Sequence, residues 1–516
     1  MTEINLPIDS TPSQPEVTVS GKVTPVQKEH LGLLLLSLFL GFLFNLLFYD
    51  KVLGLSYPLY VIAVYAVLFW LLRQEQPLKF DWTWLWGIPV LALSFSYLFF
   101  TNQLFAVLNF LMVPVLLVAH TVLMASRNRY QWFSPLFLVD IVLGMIVRPL
   151  AHCLKPFPLL SKALKNRYHL GKAAVVFQVL AGLLAAVLLF IVIVPLLAAA
   201  DDVFRHYVAL LPNVFLGLNI GEFIFRMIIM IIVACLSFSY LWSLLVTRTV
   251  FNGVGAGQGE RKALAFLNPV AVTAFLVLID LLYVFFIAIQ FSYLFGSLQY
   301  GLPQDFTYAE YARKGFFELL AVTLINLVVL LGNMNFVKAS GSRADKAVKL
   351  LNTVLVIGTM LMLLSAHFRM SLYEEAYGLT YLRVLTHAFM GYLLVLFVAT
   401  LSKIWVLKLG LLKSFIVISL LAYTLLNYLN IDRLIAENNI ARYQLGNPID
   451  ILYLTTLSYE VVPQLVNFMQ NTSERELAEK LEKGLTSKKQ ALEKEIPWQS
   501  FNLSRDRARK ILFTIK

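Results

Sequence analysis

Apolar residues along this chain fall in long, nearly unbroken stretches separated by short polar breaks, without the strict alternation of half-buried strands. A bilayer core of about 30 Å needs about 20 such residues per helix. Stretches at 31–48, 56–72, 84–100, 105–123, 173–199, 223–246, 268–295, 316–334, 348–368, 382–401 and 409–429 meet that requirement. The pattern predicts an all-α fold, a polytopic transmembrane helical bundle of about 11 spans within residues 30–429. Before it, residues 1–29 hold Pro7, Pro12, Pro15 and Pro25 among polar residues and read as a disordered cytoplasmic arm. They lack a basic start with a short apolar core and a cleavage site, so the first span reads as a retained anchor. Residues 430–516 read as a small helical tail. Within it, Ser473-Glu474-Arg475-Glu476 matches a capping box ahead of Leu477, Leu481 and Leu485, which predicts an amphipathic helix.

Composition sharpens this reading. The 516 residues are 59% hydrophobic and only 14% charged, against about 25% charged in soluble domains. A purely soluble enzyme is excluded, and two cysteines, Cys153 and Cys235, make no disulfide framework. A net charge of +12 would suggest nucleic acid in a soluble chain. Here it follows membrane topology. With the N-terminus inside, the inner segments hold 22 Lys and Arg, the outer loops 7 and the tail 13. That bias is a positive-inside pattern and puts the tail outside. No nucleic-acid partner is needed. The segment 124–172, with eight basic residues, is expected to lie on anionic lipid at the cytoplasmic face. Inside it, 132–150 is apolar but contains Pro135, Asp140 and Arg148. Counting it as a span would reverse every later loop against the charge rule, so it reads as interfacial, with a re-entrant segment as the alternative.

On this topology the polar clusters collect in one outer layer. Tyr308, Glu310, Tyr311, Arg313, Lys314 and Glu318 run into the eighth span, with Tyr308, Tyr311, Gly315 and Glu318 on one helical face. His367, Arg369, Tyr373, Glu374 and Glu375 follow, with His387 in the next span. Arg369, Tyr373, Tyr377 and Tyr381 are spaced as a stripe. Asp432, Arg433, Glu437 and Arg442 open the tail, and Asp201, Asp202, Glu222 and Arg226 face the same side. Such residues also form ordinary interfacial belts. Carboxylates and guanidinium groups together near a bilayer point further, to a binding or catalytic surface.

Asp280, in the middle of the seventh span, stands alone. An ionised carboxylate there costs at least about 2.5–3.5 kcal/mol. It must be paired, protonated or turned to other helices. Hydrogen bonding to Asn326 or Asn109 is the plain expectation, and a proton- or cation-coupling site is the functional one. Gln290 and Tyr293 lie further out on the same helix. The glycines 253, 255, 257 and 259 lack the phosphate-binding fingerprint, and His152-Cys153 has no further ligands, so no metal or cofactor is expected.

Several segments resemble a known bacterial multi-pass family: LNPVAV (267–272), AIQFSYLF (288–295), YAEYARKGFFELL (308–320), SAHFRMSLYEEAYGLTYLRVLTHAF (365–389), NIDRLIAENNIARY (430–443) and DILYLTTLSYEVVPQLV (450–466). NLLFYDKVLGLSYPLYV (45–61) and WQSFNLSRDRAR (498–509) resemble it too. The family is catalogued as domain of unknown function 4173, with relatives under 4153. The resemblance implies a bacterial cytoplasmic-membrane protein and supplies no reaction.

Three functions follow as expectations. The favoured one is transport or handling of an envelope component, with a polar site at the outer face. The second is a membrane enzyme acting on lipid-linked substrate at the outer leaflet. Asp201, Asp202, Glu310, Glu374 and Glu375 would be its acids, bases or ligands, and Arg313 and Arg369 its phosphate holders. The third is a sensor or scaffold.

Overall fold

The computed structural model describes residues 26–75, 82–160, 196–214, 220–245, 266–295, 316–338, 343–406 and 408–514, with a few positions between 182 and 194 and residue 341. They are helical apart from turns and one bridge between Leu267 and Val337. The first helices are α1 (Val26–Phe48), α2 (Ser56–Glu75), α3 (Gly87–Phe99) and α4 (Gln103–Met124). Then come α5 (Phe137–Val142), α6 (Arg148–Ala151), α7 (Asp202–Val214), α8 (Ile220–Leu245) and α9 (Pro269–Phe295). They are followed by α10 (Phe316–Phe336), α11 (Arg343–Tyr377), α12 (Tyr381–Trp405) and α13 (Leu411–Tyr428). The tail holds α14 (Ile431–Gln444), α15 (Ile451–Thr456), α16 (Val462–Asn471), α17 (Arg475–Ala491) and α18 (Leu503–Thr514).

Nine helices among the described residues are long and apolar enough to cross a membrane, and Gly32–Phe48 is a shorter apolar helix. This is a multi-pass membrane protein. Nine of the eleven expected spans correspond to these helices. The first stretch is 17 apolar residues inside α1, and 173–199 falls mostly outside the described residues.

Two compact units make up the chain: residues 1–38 with 154–218, and 39–153 with 219–516. In the first, Asp201 Oδ1 accepts from the backbone N–H of Val203 (2.7 Å) and of Phe204 (3.2 Å) at the start of α7. Asp202 pairs with Arg205 at 3.0 Å.

Among the described residues, three apolar cores lie in the second unit. One joins α2, α3 and α4 through Val61, Tyr65, Val90, Leu93 and Val113. Another joins α9 to α12 through Leu276, Leu330, Leu355, Met362 and Phe397. The third is the tail's own core, Ile435, Leu454, Val461, Leu465, Leu481 and Leu512, with Phe105 of α4 packed into it. Spanning helices turn Val107, Phe110 and Leu111 of α4, and Leu278, Leu281 and Phe285 of α9, outward. Those faces suit hydrocarbon, since the helices satisfy their own backbone groups.

The apolar segment 132–150 forms α5, a single π turn (Leu143–Val147) and α6. Its buried side, Phe137, Asp140, Ile141 and Gly144, meets α4; a Cβ on Gly144 would strike Val118 Cγ1. Asp140 is tolerated because its Oδ2 accepts from the N–H groups of Arg129 (2.7 Å) and Tyr130 (2.9 Å). Two of the basic residues assigned to lipid have internal work. Arg127 donates to the terminal carbonyls of α8, Leu244 (2.8 Å) and Leu245 (2.9 Å), and Arg148 donates to the Arg127 carbonyl at 2.9 Å.

The tail helix α17 is amphipathic as expected, with Leu481 and Leu485 buried. Its capping box does not form. The helix starts one residue later, at Arg475, with Glu474 at the cap position making no capping bond. Glu474 instead accepts from the Tyr443 hydroxyl, and the Glu476 carboxylate pairs with Lys480 at 2.6 Å.

Candidate functional site

Five loops and helix ends meet the tail at one end of the second unit. Leu55 N–H, after α1, donates to the Phe501 carbonyl at 2.9 Å. Asn502 Nδ2 donates to the carbonyls of Tyr97 (2.8 Å) and Phe100 (2.9 Å), and Ser504 Oγ to that of Phe99 (2.7 Å). These are end carbonyls of α3, which have no partner within their own helix. The tail therefore closes the spans' open backbone groups with side chains. The two segments near the chain's ends that carry the family resemblance, 45–61 and 498–509, meet here.

At the centre of this layer are two buried carboxyl groups. Asp432, 4% exposed, lies in the first turn of α14, where the helix dipole favours a negative charge. Its Oδ2 accepts from Asn102 Nδ2 (2.6 Å) and the Tyr381 hydroxyl (3.4 Å), and its Oδ1 from Ser458 N–H (3.3 Å). Asn102 also donates to Tyr381 Oη, and its own oxygen caps α4 by accepting from Phe105 N–H at 3.1 Å. Glu460, 7% exposed, accepts at Oε1 from Thr101 N–H (2.6 Å) and Thr101 Oγ1 (3.0 Å), and at Oε2 from Ser458 Oγ. Burial pushes the Glu460 carboxyl above its ordinary value, against the opposing hydrogen bonds from Thr101. Burial pulls Lys488 down, and the nearby Asp432 and Glu460 push back. Lys488 donates to the Leu457 carbonyl at 2.5 Å. The space beside these groups is about 20 Å³, room for about one water.

The α11–α12 junction holds the second cluster. His387 Nδ1 lies 2.7 Å from His367 Nδ1, and its Nε2 lies 3.0 Å from Glu374 Oε1. The Arg383 guanidinium stacks over Tyr373 at 4.4 Å. Arg442 reaches over from α14 to the carbonyls of Glu375 (2.7 Å) and Ala376 (3.1 Å). The expected stripe of Arg369, Tyr373, Tyr377 and Tyr381 stops at Tyr377. Gly378 takes φ +78° and ends the helix, so Tyr381 opens α12 and turns to Asp432. A Cβ on Gly378 would strike Asn439 Oδ1 and Arg442 Nη1. Asn439 holds the junction further, accepting from Leu379 N–H (2.9 Å) and donating to its carbonyl (2.8 Å).

Asp280 stands apart from both clusters. It is 5% exposed, near the middle of α9, and neither carboxyl oxygen has a hydrogen-bond partner. Both expected partners are committed elsewhere. Asn326 accepts from the Tyr283 hydroxyl (2.8 Å) and donates to Thr359 Oγ1 (2.9 Å). Asn109 donates to Ser96 Oγ (2.9 Å) and Asn427 Oδ1 (2.7 Å) and accepts from the Tyr423 hydroxyl (2.7 Å). The carboxyl instead lines a groove of about 360 Å³ between α9 and α11, walled by Val284, Ile287, Val354, Ile357 and Leu361.

Of the other sequence candidates, Tyr308, Glu310, Tyr311 and Arg313 lie outside the described residues, as do the side chains of Gln290 and Tyr293. Glu318 is exposed in the first turn of α10. Asp201 and Asp202 belong to the other unit. Glu222 and Arg226 are 3.8 Å apart, and Arg226 stacks over Tyr49 at 4.8 Å. Among the described residues no three His, Cys, Asp or Glu come together as metal ligands. Sequence reasoning missed Thr101, Asn102, Glu460 and Lys488. Signals existed for two of them: Asn102 follows an apolar span in capping position, and Glu460 precedes Pro463 at a helix start.

No curated protein and no solved structure matches the chain. A family model does, described as domain of unknown function (DUF4153), over residues 87–468. That corrects the expected family 4173, which is related but different. With most of its length matched, this chain belongs to the DUF4153 family.

Proposed function

We propose that this protein is a transport-type protein of the bacterial cytoplasmic membrane that handles an envelope component. In this reading its amino end is cytosolic, its tail is extracytoplasmic, and Asp280 is its proton- or cation-coupling group. One observation carries the reading: a carboxyl buried at mid-span without a partner, beside open space. A structural carboxyl at that depth would be paired, because leaving it bare is costly. The charge bias of the loops supports the orientation.

A hydrophobic carbodiimide tests it. The reagent adds to a protonated carboxyl reachable from the bilayer, joining carboxyl oxygen to the carbodiimide carbon while the proton passes to nitrogen. In full-length protein in vesicles, Asp280 is expected to be labelled faster at acidic than at alkaline pH, and Asp280→Asn to lose that adduct. An Asp280 that stays unlabelled at every pH removes the coupling role.

A second reading, a membrane enzyme at the outer leaflet, has its own observation. His387 lies between His367 and Glu374, which brings two imidazoles and a carboxylate, groups that can move a proton, into one cluster. Mass spectrometry of lipids and wall glycans from cells lacking the protein tests that reading. An unchanged profile counts against it.

A further inference from the structure

The groove beside Asp280 has a chemistry of its own. Its walls are aliphatic, with Tyr283 contributing a ring whose hydroxyl is already bound to Asn326. Asp280 is therefore its only unsatisfied polar side chain among the lining residues described. Gly358 of α11 lines the groove and faces α9 without a side chain. A Cβ there would sit 3.5 Å from Ile287 Cδ1, an ordinary contact, and anything longer would enter the space. At about 360 Å³ it falls at the small end of small-molecule sites.

An apolar slot with one unpaired carboxylate at bilayer depth selects strongly by charge. A neutral apolar molecule fills the walls but leaves the carboxylate bare. An anion adds repulsion in a medium that screens poorly. A cation with an apolar body satisfies both features at once, since ion pairing is strongest where water is excluded. We propose that the groove between α9 and α11 binds a lipophilic cation, an ammonium group on an apolar body, with its charge on Asp280 and its body against Ile287, Val354 and Leu361. This rests on the coupling reading of Asp280 and names the ligand class that competes there with a proton.

The test uses three eight-carbon probes below their micellar concentrations: octyltrimethylammonium, octanol and octyl sulfate. A quaternary ammonium is chosen because it cannot itself be acylated by an activated carboxyl. Two quantities are read on full-length protein: the rate of carbodiimide labelling at Asp280, and the thermal midpoint. At ten times its dissociation constant the cation should slow labelling about tenfold, by the factor 1 + [L]/Kd. It should also raise the midpoint in wild type, and lose that effect in Asp280→Asn and Gly358→Leu. Octanol and octyl sulfate should do neither.

If octanol protects as well as the cation, the site reads only apolar surface and the proposal falls. If labelling occurs and no probe slows it or shifts the midpoint, the ligand class is wrong while the coupling role stands. If Asp280 is never labelled, the coupling role falls and the midpoint alone decides. A rise with the cation that depends on Asp280 then upholds the ligand class, and no rise overturns it.

Discussion

Asp432 and Asp280 are equally buried carboxyl groups with opposite surroundings. Three donors converge on Asp432, from the turn before α4, from Tyr381 of α12 and from the Ser458 backbone. None reaches Asp280. Burial alone therefore does not mark a structural acid; the number of donors aimed at it does. Asp432 joins the tail to the starts of α4 and α12. Asp280 joins nothing, although Asn326 is bonded to Tyr283 one turn away on the same helix.

The comparison predicts opposite responses to mutation, and Asp432→Ala should give the largest. It leaves Asn102 Nδ2, the Tyr381 hydroxyl and Ser458 N–H without their acceptor, at about 1–3 kcal/mol for each donor left buried and unpaired. We expect a loss of about 3 kcal/mol or more, with the tail becoming protease-sensitive before the spanning helices do. A thermal midpoint within error of wild type would mean that the tail does not depend on this carboxylate.

Gly378→Ala ranks next. The left-handed backbone at φ +78° costs an L-residue about 1–3 kcal/mol. The new methyl also displaces Asn439 and Arg442, which hold the junction. Thermal unfolding of full-length protein measures the cost. Because His367, Glu374 and His387 sit at this junction, loss of the His367–His387 contact, read by histidine NMR, should accompany it.

Glu460 sharpens the comparison through pH. Burial raises its carboxyl above the ordinary value of 4.5, so the folded chain holds that proton more tightly than the unfolded chain. Its contribution is most favourable at acidic pH and turns into a cost as pH rises through the raised value. Glu437 and Glu476, held below their ordinary values by Arg433 and Lys480, act in the opposite sense. The difference in stability between wild type and Glu460→Gln isolates the first effect. It should move against wild type as pH rises above 4.5 and level off beyond the raised value. A flat difference across that window would show that Glu460 is not strained by burial.

Much of the helical pattern was legible because it depends on local runs of apolar residues, and α2, α4, α9, α10 and α12 follow those runs closely. The sites were legible only where a charge sits against the pattern. Asp280 stands out because nothing polar flanks it. Asp432 stands out as a member of a polar motif. Glu460 and Asn102 did not stand out, because their meaning comes from each reaching the same layer across more than 300 residues of chain. Spacing along a helix also misled at Tyr381, where Gly378 breaks the helix that the stripe assumed.

Asp280→Asn should have the smallest effect on folding and so complete the contrast. No donor loses an acceptor, because none was bound. The substitution keeps the volume of the side chain, so the contacts of α9 with α11 are kept. What changes is the cost of a carboxyl in hydrocarbon, which an uncharged amide lowers relative to the ionised form. The expected shift in unfolding free energy is therefore within about 1 kcal/mol of zero and leans to stabilisation, against a loss several times larger for Asp432→Ala. The measurement is the thermal midpoint of both variants in one detergent at neutral pH. A destabilisation by Asp280→Asn as large as that of Asp432→Ala would mean that Asp280 has a structural partner. The groove between α9 and α11 would then be part of the scaffold, with no vacancy for a proton or a cation.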